Sequence, residues 1–210
     1  MSRAIDDGAA TVRLGSPFSE IEEAAEVTHP ITPELRAVLA GEVSVRFRAQ
    51  TPEDILAAIR VGEEYGLQVV VEGASGAHMV AEALGRTSAS VVVGPAMVGS
   101  SANAPETFAR TPENAAVLSH AGVPVALSTE SAGGRSVAME VVVARGHGLS
   151  QEAALRAVTI GAARILGVED RVGSLEDGKD ADLVLWSNDP VSTWAEAQIV
   201  VVGGSVVYRR

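Results

Sequence analysis

The feature that most restricts the fold of this chain is a recurrence of short apolar runs, each followed by a stretch with helix-forming chemistry. The runs are V-S-V-R-F-R-A at 43–49, L-Q-V-V-V-E at 67–72, S-V-V-V at 90–93 and V-P-V-A-L-S at 123–128. The second is continuously apolar up to Glu72, the pattern of a strand covered on both faces. Strand-then-helix repetition of this kind demands a parallel sheet with right-handed crossovers, so the fold class is α/β. Two architectures meet the pattern: a small open doubly wound sheet and a stretch of a (β/α)8 barrel. A whole barrel takes about 250 residues, so four units amount to half of one. The pattern alone leaves both open.

Local signals place the helices. Thr51-Pro52-Glu53-Asp54 starts one, with Thr51 as N-cap, Pro52 at the first helical position and acids in the first turn. Ile55, Leu56 and Ile59 form its apolar face, and Gly66 stops it. Thr111-Pro112-Glu113 repeats that start for a helix reaching His120 and ended by Gly122. Further helices are expected over 76–84, 136–145 and 150–166, and ahead of the repeat over 33–40. Strands are expected again at 182–186 and 199–208, the latter turning at Gly203-Gly204. Residues 94–110 form a connection longer than most, the kind that borders a site.

Composition narrows the classes of function. A net charge of −11 without basic clusters argues against a nucleic-acid surface and leaves the acidity as a solubilising feature. Apolar residues make up 47% of the chain, yet no run approaches the roughly 18 that suggest a membrane span. Met1 to Asp7 has neither the apolar core nor the basic flank of a secretory signal, so the expected compartment is the cytoplasm. The lack of cysteine excludes disulfides and thiolate chemistry.

Four stretches carry more. They are P-E-L-R-A-V-L-A-G-E-V-S-V-R-F-R-A-Q-T-P-E-D-I from Pro33, V-V-V-E-G-A-S-G-A-H from Val69, V-P-V-A-L-S-T-E-S from Val123, and A-V-T-I-G-A-A-R-I-L-G-V-E-D-R-V-G-S-L-E-D-G-K-D-A-D-L-V-L-W from Ala157. In this order they resemble the amidohydrolase family, in particular its imidazolonepropionase-like metal-dependent hydrolases, over residues 33–210. The resemblance implies a (β/α)8 barrel with a small β-sandwich, and it aligns the first clear strand here with the fifth strand of the barrel. It thus implies a poorly defined lead-in at 1–41, a partial barrel of about strands five to eight at 42–167, and a C-terminal β segment of the sandwich at 168–210. The implied chemistry is hydrolysis of a C–N bond, in an amide or cyclic amide, by water on a divalent metal, zinc first. Complete members carry an H-x-H metal pair on an early strand; these residues contain none.

The resemblance also assigns site positions. The family places a histidine at the end of the first strand here, where this chain has Arg48. Arginine stays protonated and has no acceptor, so it cannot ligate a cation. Two readings follow: a guanidinium in place of the metal's charge, binding a substrate carboxylate, or decay of the site. After the next strand many relatives carry a ligand histidine where Gly73 stands. A subgroup carries E-G-G-T-E-G-H, whose histidine matches His78, a candidate metal ligand. Glu72 is a substrate-site carboxylate or half of an ion pair. Glu130 stands where the family has its catalytic aspartate, as candidate catalytic acid–base group and metal ligand, one methylene longer. His29, His120 and His147 match no ligand position, and Asp180 and Asp182 are expected to bond locally to backbone amides.

Three functions remain in view. One is a hydrolase half, incomplete in metal ligands and weak or inactive alone, which a complementary N-terminal half completes. A second is a degenerate pseudoenzyme that binds or builds, closing one barrel from two copies of itself. A third is a doubly wound small-molecule-binding domain. No nucleic-acid or membrane partner is expected for any of them.

Overall fold

The computed structural model describes residues 5–6, 9–12, 27–30, 32–95, 109–129, 137–192 and 194–210. Two units make up the chain, residues 1–44 and 45–210. In the first, β1 (Ile5–Asp6), β2 (Ala9–Val12) and β3 (Val27–Pro30) form an antiparallel sheet in that order. Strands this short carry no alternation that sequence reasoning can detect. Helix α1 (Pro33–Leu39) follows, its first turn closed by the Thr32 hydroxyl, which accepts from the Leu35 amide at 3.3 Å.

The second unit is built on four parallel strands: β4 (Val45–Ala49), β5 (Val69–Gly73), β6 (Ser90–Val93) and β7 (Val125–Leu127). They lie side by side in sequence order, β4-β5-β6-β7. Between them run α2 (Pro52–Tyr65), a 3-10 turn (Ala77–Val80) leading into α3 (Ala81–Gly85), and α4 (Asn114–His120). After β7 come α5 (Val137–Gly146), α6 (Gln151–Ala157) and α7 (Ile160–Leu166). Val69, Val71, Val91, Val93 and Leu127 point to one face and pack against Ile55 and Ile59 of α2, Leu84 of α3, Leu118 of α4, and Val141 and Ala144 of α5. Each such buried aliphatic side chain contributes about 1.5–3 kcal/mol. The opposite face presents Val70, Val92 and Ala126, which meet Ile165 and Ala162 of α7.

A doubly wound sheet reverses its direction of growth and places crossover helices on both faces. Among the described residues this sheet grows in one direction with its crossover helices on one face and α7 on the other.

Thr51 caps α2 as expected, accepting from the Asp54 amide at 3.2 Å. Two expectations fail. Thr111 does not cap α4: its hydroxyl bonds the Glu113 carboxylate, and the helix starts at Asn114. The single helix expected over 150–166 is two, because Thr159 leaves the helical conformation and its hydroxyl returns to the Leu155 carbonyl at 2.7 Å.

The chain ends in an antiparallel sheet, β8 (Leu183–Trp186), β9 (Ala197–Val202) and β10 (Ser205–Arg209), in the order β10-β9-β8. Asp182 accepts from the Gly203 amide at 2.7 Å, across the hairpin rather than locally, while Asp180 takes the Arg171 guanidinium at 2.7 Å instead of a backbone amide. The 188–192 turn is tied to α5 and α6: Arg145 donates to the Val191 carbonyl at 2.9 Å, and Gln151 to Asp189 at 2.9 Å. Among the described residues no helix is long and apolar enough to cross a membrane.

Candidate functional site

Alternation along β4 puts Arg46 and Arg48 on one face and sends Phe47 and Ala49 into the core. The register with β5 pairs Arg46 with Val70 and Arg48 with Glu72, so both arginines and Glu72 share the face away from the crossover helices. Arg46 donates to and ion-pairs with the Glu72 carboxylate, each side chain a little over a third exposed. Glu72 is thus engaged in an ion pair. Its partner is a residue that sequence reasoning passed over, although the R-x-R spacing within a strand already placed both guanidiniums on one side.

The strand ends themselves are closely joined. Gln50, 7% exposed, lies against the loop after β5, where its side-chain oxygen accepts from the Ser75 amide at 3.2 Å and the Ser75 hydroxyl at 2.7 Å. The Ala74 amide donates to the Ala49 carbonyl and the Gly76 amide to the Gln50 carbonyl, both at 2.8 Å. From α4, the Asn114 side-chain amide donates to the Ala74 carbonyl at 2.8 Å. Gly73 adopts φ +84°, and a Cβ there would lie 2.4 Å from the Gln50 amide nitrogen.

His78 lies on the turn Ala77–Val80, half-buried, and its Nδ1 is buried without a hydrogen-bond partner among the described residues. Such an atom costs about 1–3 kcal/mol of desolvation. Glu130 lies outside the described residues. His120 and His147 have ordinary partners: the His120 ring meets the Ala116 carbonyl at 2.7 Å, and His147 Nδ1 meets Glu113 at 3.0 Å. The carboxyl of Glu113 is held below its usual range, first by the Thr111 hydroxyl, then by its own backbone amide and by His147.

Among the described residues, those at these strand ends do not by themselves fit a divalent metal. A hydrolytic site wants about three protein ligands converging on one open position. Here Arg48 occupies the end of β4, Arg46 holds Glu72, and no side chain stands at Gly73. Among the described residues no group of three or more His, Cys, Asp or Glu side chains converges.

The sequence profile of the amidohydrolase family matches residues 96–207. The amidohydrolase TasK of Hapsidospora irregularis is 29% identical over 180 residues, 83% of this chain and 18% of that protein. An imidazolonepropionase of Aromatoleum aromaticum is 45% identical over 80 residues, 36% of this chain and 19% of its own length. A crystal structure of an amidohydrolase from Thermotoga maritima superposes with a TM-score of 0.77 at 34% identity, across 83% of this chain and 46% of that one. The chain thus spans less than half the length of each of these relatives.

Proposed function

Because the chain belongs to the amidohydrolase family, we propose that residues 42–167 are the second half of a (β/α)8 barrel and that β8–β10 belong to its small β-sandwich. Family membership supports hydrolysis of a C–N bond as the chemistry of the complete barrel, with amides and cyclic amides as the substrate class. Members are generally metal-dependent, with zinc the first candidate. This half has little or no turnover by itself and acts as a binding and assembly subunit in the cytoplasm. It pairs with a second copy or with a complementary half that supplies strands one to four.

The observation that carries this reading is the Arg46–Glu72 pair with Arg48 beside it in register. A carboxylate already engaged by a guanidinium is a poor metal ligand, and two guanidiniums on the same face of β4 repel a cation. A second reading, a metal hydrolase completed by the other half, draws support from the buried, unpartnered Nδ1 of His78.

The test is a panel of amides and cyclic ureas offered to the purified chain, alone and co-expressed with the first half of the Thermotoga maritima amidohydrolase. The expected result is no turnover above background by the chain alone and co-purification of the two halves. Turnover by the chain alone that disappears in both His78→Ala and Glu130→Ala would overturn the proposal.

A further inference from the structure

A metal held among strand ends also ties those ends together. We propose that in this protein a metal-free clasp, made by Gln50 and Ser75 with the Arg46–Glu72 pair beside them, has taken over that task at the ends of β4 and β5 and excludes a divalent cation from them. The inference rests on placing these ends at the barrel mouth, and it goes beyond that reading because it holds even when the other half is present.

The three amides that follow Gly73 are all consumed by the neighbouring strand end. Ala74 bonds the Ala49 carbonyl, Ser75 the Gln50 side chain and Gly76 the Gln50 carbonyl. Both donors of Ser75, itself 3% exposed, converge on the one Gln50 oxygen. Asn114 closes the same loop from the side of α4. The space a ligand at position 73 would need is filled: its Cβ would come within 2.4 Å of the Gln50 nitrogen and 2.9 Å of the Gln50 side-chain carbonyl carbon. The φ of +84° there strains any residue but glycine. The missing ligand is therefore more than a single replaced residue. A side chain at position 73 would have to move the Gln50 amide and adopt a strained backbone, and on the adjoining strand Arg46 holds the Glu72 carboxylate.

Two measurements on the full chain test this. The first is titration with cobalt(II), followed by its visible absorption, together with thermal unfolding in zinc and in EDTA. A cation that binds only the folded state raises the melting temperature by mass action. The expected result is no saturable cobalt band and one melting temperature in both media. A band that saturates near one equivalent and vanishes in His78→Ala overturns the clasp. The second is a cycle of Gly73→Ala and Gln50→Ala. Gly73→Ala is expected to lower the melting temperature more in the native background than in Gln50→Ala, where the occupying amide is gone. Equal drops overturn the claim that Gln50 fills the ligand's space. Should Gly73→Ala not fold, the cobalt titration of the unaltered chain still decides. Cobalt binding would leave the half-barrel reading intact, whereas turnover by the chain alone would remove that reading without touching Gln50.

Discussion

Glu72 and Gln50 each hold a partner on the neighbouring strand, but their surroundings set different energies. The Arg46–Glu72 pair is more than a third exposed on both sides, and pairs of that kind contribute about 0–1 kcal/mol. Gln50 is buried and accepts from two buried donors of Ser75, which lose their acceptor if it is removed. Leaving such groups unpaired costs about 1–3 kcal/mol. Gln50→Ala is therefore expected to destabilise more than Glu72→Gln, although the second change removes a charge. Urea unfolding of both variants checks the order, and a larger loss for Glu72→Gln would contradict it. At this scale the sequence disclosed half of the site. Arg48 and Glu72 stand out because a charge at the end of an apolar run has to be accounted for. Gln50 does not, because a polar residue after a strand reads as loop and its partner lies 25 residues further on. Arg46 was hidden in the same way, 26 residues from Glu72, despite its spacing from Arg48.

Between elements, contact distance decides. The α-carbon of Gly62 faces β5 so closely that a Cβ would lie 2.2 Å from a Val69 methyl. Alanine gains about 1 kcal/mol over glycine in a helix, but overpacking a core costs about 1–3 kcal/mol, and valine has little rotamer freedom to retreat. Gly62→Ala is thus expected to destabilise, and its cost is expected to shrink in a Val69→Ala background. A double-mutant cycle in urea measures that coupling; strict additivity would refute the contact. A second link between elements responds to acid. Glu113, just before α4, is held below its usual range by Thr111 first and also by His147, which follows α5. A carboxyl depressed in the folded state adds stability above its unfolded value, and the gain is lost as pH falls through the folded value. The stability difference between the native chain and Glu113→Gln should therefore disappear as pH drops below about 4. A difference that persists or grows below that pH would reverse the assignment. The parallel strands were legible as elements because periodicity is local. The division of the expected 150–166 helix was not, since it depends on Thr159 turning its hydroxyl back to Leu155.

For the whole molecule, the strand order matters most, and no local pattern contains it. Apolar runs followed by helices satisfy a doubly wound sheet and a barrel equally well; the order β4-β5-β6-β7, with the crossover helices on one face, is what a stretch of barrel requires. The same order sets a requirement. Among the described residues β4 and β7 each pair on one side, and an open edge of parallel strands presents unsatisfied main-chain groups that seek another strand. Barrels of this kind close with eight strands, and two copies of a four-stranded arc supply that number. The face that would line such a barrel carries Val70, Val92 and Ala126, where α7 meets it, with Arg46 level with Val70 and the Arg48–Glu72 register pair level with Val92 and Ala126. Closure would bury the open edges. Sedimentation equilibrium of the 210-residue chain is expected to show a dimer that dissociates on dilution. Co-expression with a first half from a relative should displace that dimer in favour of a one-to-one complex, because both compete for the same two strand edges. A chain that remains monomeric at every concentration and ignores the complementary half would mean that these edges are satisfied within the chain. The (β/α)8 reading of the parallel sheet would then have to be given up, while the β4–β5 clasp would stand unchanged.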